Sequence, residues 1–188
     1  MIAPRTLLEA YSQGIFPMAD EKGRLNWYEA DPRAIVEIDA YRIPRDLKRI
    51  LNRQAFDIHF DRSFEQVMRG CAERAQTWIS EEIIRSYLAL HKLGYAHSVE
   101  AWQHGKLAGG LYGVRVGAAF FGESMFYRVS HASKVALAHL MQHLQARKFL
   151  LHDAQVMTPT LELFGAKNVS RHEYLLRLRA ALNQKVEF

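Results

Sequence analysis

The chain has 188 residues, 49% of them hydrophobic, and carries a net charge of +5 at pH 7. This composition predicts a packed globular domain and excludes a disordered or low-complexity chain, while the positive charge favours an anionic partner such as nucleic acid. A single cysteine, Cys71, excludes an internal disulfide, and the lack of a signal peptide or a membrane-length apolar run predicts a cytoplasmic protein without a membrane partner.

Short elements are predicted for the first forty residues. A helix over 4–13 ends before a glycine, and an apolar turn follows at 15–18. Trp27 and Tyr28 then precede a strand over 34–38. These two aromatic residues fit either the core or an aromatic wall for a base or ring.

The segment that starts at Pro44 predicts a helix with one strongly basic side. Four cations recur there at helical spacing, and we call them the basic stripe: Arg45, Lys48, Arg49 and Arg53. Like charges at this spacing repel each other. The stripe therefore fits either a plain solvated surface or a contact with a phosphate backbone.

Two capped helices are predicted in the middle of the chain. Ser63 and Gln66 form a capping-box pattern for the first, which follows a strand over 56–60. The second runs over 81–93 and ends at a glycine. Trp78 lies in the loop between the helices, where it fits either a stacking residue or a hydrophobic plug.

From residue 96 the hydrophobic period becomes that of strands. An antiparallel meander is predicted over 97–103, 107–116 and 118–126. Glycines at 109, 110 and 113 weaken its middle strand, so they indicate a bulge or a backbone that lies close to a ligand.

A long helix and a strand over 149–155 follow the meander and complete a β-α-β unit, which predicts a parallel neighbour. Ser130 or Ser133 is expected to cap this helix. Its His139 and His143 lie four residues apart and could ligate zinc, but no third ligand is evident, and we expect no metal. A short helix and a final amphipathic helix end the chain.

Three polar side chains stand out in the two apolar strands around the long helix. Glu123 lies next to a glycine in the first strand, and a buried carboxylate is costly without a partner or a chemical role. Asp153 and Gln155 lie two residues apart in the second strand, so their side chains share one side. The three residues predict either a catalytic site or a buried polar network that fixes the sheet.

Together these elements predict an α/β (α+β) protein with a mixed sheet flanked by helices. The order resembles the GNAT-like acyltransferase fold, in which an acyl donor binds where two central strands splay apart. The likeness places that splay between the strands over 120–125 and 150–155.

Several motifs have an order and spacing that resemble the leucyl/phenylalanyl-tRNA–protein transferase family from about Leu7 to Tyr174. They are Tyr-Ser-Gln-Gly-Ile-Phe-Pro at 11–17, Asp-Pro-Arg at 31–33, Thr-Trp-Ile at 77–79, Gly-Gly-Leu-Tyr-Gly-Val at 109–114, Gly-Glu-Ser-Met-Phe at 122–126, Ala-Ser-Lys at 132–134, and Asp153 with Gln155. The resemblance implies transfer of an amino acid from aminoacyl-tRNA to the N-terminal amine of proteins that begin with Arg or Lys, which marks them for degradation. It implies no metal and no organic cofactor.

The resemblance also implies roles for single residues. Gln155, held by Asp153, would orient the attacking amine and help to take up its proton, or Asp153 would itself be the base. Glu123 would hold the acceptor residue or the ribose end of the donor. An apolar pocket for the donor side chain would consist of Leu111, Phe120, Met125, Leu140 and Leu144. Contacts with tRNA would come from Trp78, at the terminal adenosine, and from the basic stripe, at the acceptor stem.

The chain departs from the family pattern in places that concern the donor. Met18 stands where many members have tryptophan, and residues 158–160 stand where many have Asp-His. Residues 1–40 are expected to form a small, shortened N-terminal lobe, and residues 41–188 the transferase domain. Leu or Phe is the expected donor residue, with Met or another residue as the alternative.

Two other functions compete with this one. An acetyl-CoA-dependent N-acetyltransferase would need an Arg/Gln-x-x-Gly-x-Gly/Ala turn before the long helix, where residues 127–133 show none. A non-catalytic RNA-binding module would keep the basic stripe, but the presence of Glu123, Asp153 and Gln155 argues against it.

Overall fold

The computed structural model describes all residues, 1–188, as seven helices and nine strands. The helices are α1 (Pro4–Ser12), α2 (Arg45–Asn52), α3 (Phe64–Ala72), α4 (Glu81–Lys92), α5 (Ala132–Ala146), α6 (Pro159–Leu163) and α7 (Arg171–Leu182). The strands are β1 (Phe16–Ala19), β2 (Leu25–Tyr28), β3 (Arg33–Val36), β4 (Asp57–Phe60), β5 (Ala96–Gln103), β6 (Lys106–Val116), β7 (Ala119–Tyr127), β8 (Leu151–Gln155) and β9 (Lys167–Val169). β1 and β2 form a hairpin, and the other strands form one sheet in the order β4-β5-β6-β7-β8-β3-β9.

The seven-stranded sheet is mixed. β7 and β8 are parallel and are joined by α5, whereas every other neighbouring pair is antiparallel. Parallel neighbours need such a long crossover because a short turn cannot join them. The predicted meander, the β-α-β unit and the α+β class with a mixed sheet flanked by helices are confirmed.

The parallel pairing of β7 and β8 is short, and the sheet is open where this pairing ends. Residues 119–121 of β7 pair with residues 151–153 of β8, and no further pair follows. The two strands therefore separate at the predicted splay. Glu123 and Gln155 both lie beyond the last pair, one on each side of the opening.

A β-bulge places Glu123 at this opening. Tyr112 of β6 pairs with Ser124, but the next residue, Gly113, pairs with Gly122, so Glu123 is an extra residue between two paired positions. Gly113 is required because a Cβ atom there would overlap the backbone of β7. The bulge that the glycines indicated is confirmed, and it turns Glu123 out of the regular pattern of the strand.

Helices cover both sides of the sheet and bury two apolar clusters. α1, α3, α4 and α7 pack on one side, in a cluster that includes Leu7, Phe121 and Leu178. α2, α5 and α6 lie on the other side, in a cluster that includes Leu111 and Leu140. Each fully buried side chain of this size stabilises the fold by roughly 1.5–3 kcal/mol. None of the helices is both long enough and apolar enough to cross a membrane.

Two helix starts differ from the predictions. α5 begins after His131, which is left-handed with φ 70°, and neither Ser130 nor Ser133 caps it. Because His131 turns the chain sharply, Ser130 lies before the first turn and Ser133 lies within it. Ser63 does precede α3, but the capping box is absent since the Glu100 carboxylate accepts the Ser63 backbone N–H at 2.6 Å.

The N-terminal part contains more strand than the sequence indicated. Residues 16–19 form β1, paired with β2, so the predicted apolar turn at 15–18 is wrong. The cross-strand partner that stabilises β1 lies beyond a polar loop, which hid the pairing. β3 lies between β8 and β9 in the main sheet. The division of the chain at residue 40 stays a prediction.

Candidate active site

A cleft of about 600 Å³ opens where β7 and β8 separate. The β1–β2 hairpin, β6, β7, α5 and the end of β8 supply most of its wall. Of the 22 lining residues 13 are hydrophobic, and the charged ones include Glu29, Arg74 and Glu123. A mostly apolar cleft with a few polar groups is typical of a site for a small ligand.

Glu123 is the centre of a hydrogen-bonded cluster in this cleft. Its Oε1 accepts from the Tyr11 hydroxyl at 2.6 Å and from Gln155 Nε2 at 2.8 Å. Its Oε2 accepts from the Tyr87 hydroxyl at 3.3 Å, and the two hydroxyls contact each other. Because three donors converge on one carboxylate, the cluster suits the ionised form of Glu123.

The surroundings of Glu123 adjust its protonation. Burial raises the pKa of Glu123 to about 7, and the charge of Asp153 adds to the rise. The three hydrogen bonds lower this pKa but do not outweigh the loss of water. Burial and the Glu123 charge also raise the pKa of Tyr11 and of Tyr87, so both hydroxyls stay protonated as donors. A carboxylate that titrates near neutral pH is suited to exchange protons with an amine.

Asp153 is fully buried and has four hydrogen-bond donors. Arg33 binds it through two bonds, Nε to Oδ1 at 2.9 Å and Nη2 to Oδ2 at 2.7 Å. The Tyr174 hydroxyl donates to Oδ2 at 2.6 Å, and the backbone N–H of Gln155 donates to Oδ1 at 2.9 Å. Asp153 therefore holds the backbone of Gln155, which has a left-handed φ of 61°, whereas Glu123 holds its side-chain amide.

The sequence did not reveal the partners of these two carboxylates. Arg33 is only 1% exposed, and its Nη1 donates to the Gly14 carbonyl at 3.0 Å. Its position beside an apolar strand was the one signal for a buried ion pair. Tyr11 and Tyr87 gave no signal, because a tyrosine on the apolar side of a helix is usually a core residue.

The predicted donor pocket lies only partly in the cleft. Three of its five residues line the wall: Leu111, Met125 and Leu140. Phe120 and Leu144 do not, since both are fully buried in the core cluster under the sheet. Phe120 lies before the strands separate, and Leu144 lies one turn beyond the last lining residue of α5.

Three of the residues that the resemblance marks as departures from the family pattern line the cleft. They are Met18, Thr158 and Thr160. Trp78 and Tyr28 also line the cleft, whereas Trp27 is 41% exposed and lies outside both the cleft and the core. Of the aromatic residues for which the sequence left two roles open, Tyr28 and Trp78 therefore lie in the cleft wall, and their role in stacking stays a prediction.

The basic stripe lies outside the cleft on α2. Arg45, Lys48 and Arg49 are exposed on the helix, and Arg53 follows its last residue. None of these side chains takes part in an ion pair of the protein. Four exposed cations without internal partners are available to an anionic surface.

His139 and His143 lie on α5 away from the cleft. The His143 ring packs against Phe60 and Phe188, with centroid distances of 4.7 and 4.5 Å. His139 borders a separate groove beside α2. No group of three or more His, Cys, Asp or Glu side chains is placed to hold a metal ion.

Two family models match the chain. One, described as leucyl/phenylalanyl-tRNA protein transferase, matches residues 35–179, and one described as the N-terminal domain of that transferase matches residues 1–31.

Curated relatives named leucyl/phenylalanyl-tRNA–protein transferase are similar over nearly the whole chain. The protein from Gloeobacter violaceus is 50% identical over 188 residues, which cover 100% of this chain and 97% of the relative. The protein from Salinibacter ruber is 51% identical over 97% of this chain and 81% of its own length. The protein from Chlorobium phaeobacteroides is 50% identical over 100% of both. Among solved structures, L-PGS from Bacillus licheniformis aligns with a TM-score of 0.46 at 15% identity, over 74% of this chain and 45% of that one.

Proposed function

Because the chain belongs to the leucyl/phenylalanyl-tRNA–protein transferase family, we propose a specific transfer reaction for it. As an aminoacyltransferase it takes an amino acid from aminoacyl-tRNA. The donated residue is Leu or Phe, and the acceptor is the N-terminal α-amine of a protein that begins with Arg or Lys. The new residue marks that protein for degradation by an N-degron pathway in the cytoplasm. The reaction needs no cofactor since the aminoacyl ester is already activated.

The observation that carries this proposal is the pair of Glu123 and Gln155 at the opening of the sheet. Their side chains are joined by a 2.8 Å hydrogen bond and lie in the wall of a mostly apolar cleft. An aminoacyl ester brings an apolar side chain and a carbonyl group to one place, and the acceptor brings an amine. The cleft offers apolar surface for the side chain of the ester and hydrogen-bond acceptors for the amine.

The chemistry assigns different tasks to the two side chains. Aminolysis forms a bond from the amine nitrogen to the ester carbon, breaks the bond from that carbon to the ribose oxygen, and moves a proton from nitrogen to oxygen. Gln155 Oε1 accepts a hydrogen bond from the amine and so orients its lone pair. Glu123, whose pKa is about 7, takes up the proton. An amide is too weak a base for that step.

Asp153 acts as a positioning residue in this proposal. Its carboxylate is 0% exposed and already accepts four hydrogen bonds, so it has no free access to an amine. It holds the backbone of Gln155 in a left-handed conformation that non-glycine residues rarely adopt without support. This placement favours Asp153 as the support of Gln155 over Asp153 as the base.

A transfer assay tests the reaction and its specificity. Purified protein is mixed with tRNA that carries labelled Leu, Phe or Met, and with peptides that begin with Arg, Lys, Asp or Ala. We expect labelled Leu and Phe on the Arg and Lys peptides, because two carboxylates, Glu29 and Glu123, line the cleft against one cation, Arg74, and favour a basic residue.

The outcomes separate the parts of the proposal. Label on the Asp or Ala peptides would contradict the acceptor specificity, and label from Met alone would contradict the donor specificity. Absence of transfer from every charged tRNA, in a sample that is folded by circular dichroism, would overturn the reaction itself.

Replacing Trp78 with alanine should weaken the use of tRNA. Trp78 lines the cleft and is partly buried, which leaves part of its ring for stacking on the terminal adenosine. Stacking of a base on an aromatic ring predicts a rise in KM for aminoacyl-tRNA of roughly 10-fold, with kcat changed much less. The matched control is Trp27→Ala, since Trp27 lies outside the cleft. Equal KM values for the two variants would argue against stacking at Trp78.

Neutralising the basic stripe should weaken binding of tRNA in a salt-dependent way. Lys48→Gln and Arg49→Gln each remove one phosphate contact, so each should lower the slope of log affinity against log salt by about 0.7–0.9. Filter binding of tRNA between low and moderate salt measures this slope. Lys106→Gln, at an exposed lysine that begins β6, is the control and should leave the slope unchanged. An unchanged slope in all three variants would place the acceptor stem elsewhere.

A further inference from the structure

A small polar niche lies in the cleft wall where β7 and β8 separate. Gly122 and His152 both line the cleft there. A Cβ atom on Gly122 would lie 3.2 Å from His152 Nε2 and 3.6 Å from the Asp153 carbonyl oxygen. Because Gly122 has no Cβ atom, it leaves uncovered the edge of the His152 ring that carries Nε2, where an alanine would press against it.

His152 has no partner in the protein that explains its burial. Its ring is 2% exposed, and Nδ1 is buried without any hydrogen bond. Burial lowers the pKa of His152 to about 4, so the ring is neutral at pH 7 and offers one donor and one acceptor. Nε2, the ring nitrogen beside Gly122 in the cleft wall, also makes no hydrogen bond within the protein, so a polar ligand group in the cleft is its natural partner.

The walls around the niche are apolar. Leu111, Leu137 and Leu140 line the cleft on the side of the sheet that carries α5, and they belong to the core cluster of that side. His152 contacts the same cluster through Phe120, with ring centroids 6.1 Å apart. A ligand that fits here is apolar along its length and polar at its tip.

We propose that His152 and the Gly122 niche bind the phenolic hydroxyl of a tyrosyl donor, so that this protein also transfers Tyr from Tyr-tRNA. The inference rests on the proposed function, in which the apolar part of the cleft takes the donor side chain. Bond making and bond breaking are those of the aminolysis described above. The hydroxyl exchanges hydrogen bonds with the imidazole, and the ring lies between the leucines.

Tyrosine fits this niche better than the other candidates. Its hydroxyl both donates and accepts, which matches a neutral imidazole beside a carbonyl oxygen. The thioether of methionine is only a weak acceptor, and the side chains of Leu and Phe leave the niche unsatisfied. An apolar pocket without such a partner rejects an added hydroxyl by about 100-fold.

Competition between donors tests the inference in the full-length protein. Tyr-tRNA and Phe-tRNA are supplied together with an Arg peptide, and the two products are separated by mass. We expect the wild type to transfer Tyr with kcat/KM within about 10-fold of Phe, and His152→Leu to lower the ratio of Tyr to Phe by about 10- to 100-fold. Gly122→Ala, which fills the niche, should lower the same ratio.

The ratio of Tyr to Phe transfer also serves for the control and shows which results would contradict the inference. His139→Leu makes the same chemical change outside the cleft and should leave the ratio unchanged. Transfer of Leu and Phe without Tyr by the wild type would overturn the inference while the proposed function stands. A ratio that neither His152→Leu nor Gly122→Ala alters would also overturn it.

Binding without transfer gives an independent measurement. Tyrosine methyl ester and phenylalanine methyl ester are titrated into protein with ¹⁵N-labelled histidine, and the His152 signals are identified by their loss in His152→Leu. We expect the tyrosine ester alone to shift the ring nitrogens of His152. Equal shifts with both esters, or none with either, would overturn the niche even if transfer of Leu or Phe occurs.

Discussion

Replacing Arg33 with methionine is expected to lower the free energy of unfolding by about 3–5 kcal/mol and to reduce transfer at least about 100-fold. Arg33 makes two of the four hydrogen bonds to Asp153, and both side chains are buried. Removing one partner leaves an uncompensated charge inside the protein. It also loosens the group that holds the backbone of Gln155, so the amine would no longer be placed accurately. Urea unfolding and the transfer assay measure the two effects.

A double variant separates stability from positioning. Arg33→Met combined with Asp153→Leu removes the whole buried ion pair, and apolar replacement of such a pair is often neutral for stability. We expect the double variant to recover much of the lost stability but no transfer, because Gln155 has still lost its anchor. Recovery of transfer along with stability would show that the pair is structural only. Arg5→Met breaks an exposed pair with Glu9 and should change stability by less than about 0.5 kcal/mol.

The secondary structure could be predicted wherever local patterns decide it. The β5–β6–β7 meander, α5 and β8 have strong periods and glycine turns, and the short pairing of β7 with β8 agrees with the predicted splay. β1 could not be predicted because its stability depends on pairing with β2 across a polar loop. The start of α5 was missed since the left-handed conformation of His131 replaces a serine cap.

The candidate site could be predicted only for residues whose type is unusual in its setting. Glu123 and Asp153 stand out because carboxylates are rare in apolar strands. Arg33 and Tyr174 bind Asp153 from segments 120 and 21 residues away, and no sequence period links them. Phe120 was expected in the donor pocket, but which side of a strand faces an open cleft depends on where its pairing ends. The place where the pairing ends depends on tertiary structure, which no local sequence pattern predicts.

Replacing Glu123 with glutamine is expected to lower kcat/KM by about 100- to 10,000-fold at pH 8 and to change the pH profile. In the wild type two groups must lose a proton, Glu123 with a pKa of about 7 and the acceptor α-amine with a pKa of about 7.7–8.0. The slope of log kcat/KM against pH is therefore close to two below pH 7 and one just above it. In the variant only the acceptor amine still has to lose a proton, so the slope is one throughout.

The protonation of Glu123 should also affect stability: as the pH rises, the free energy of unfolding should fall, whereas the transfer rate should rise. A glutamate carboxyl has a pKa of 4.5 when it is exposed, whereas the pKa of Glu123 is about 7 in the folded protein. Between these values the folded state holds a proton that the unfolded state has lost, so raising the pH favours unfolding. The wild type should thus lose at most about 3 kcal/mol from pH 4.5 to 7 relative to Glu123→Gln. Urea midpoints at several pH values measure this difference, and Glu9→Gln, at an exposed position, serves as the control.

The two measurements on Glu123→Gln test one assignment from two sides. A carboxylate that only fixes the sheet would give the stability effect, but the wild type and the variant would then both show a slope of one, and the variant would lose little rate. A proton acceptor gives both effects, because the burial that raises its pKa also brings its affinity for protons close to that of the amine. Tyr11 and Tyr87 stay protonated across this pH range, so the titration of neither residue can replace that of Glu123 in the pH profile of kcat/KM. A wild-type slope of one below pH 7 would therefore remove Glu123 from the proton transfer and leave it as a hydrogen-bond partner of Gln155.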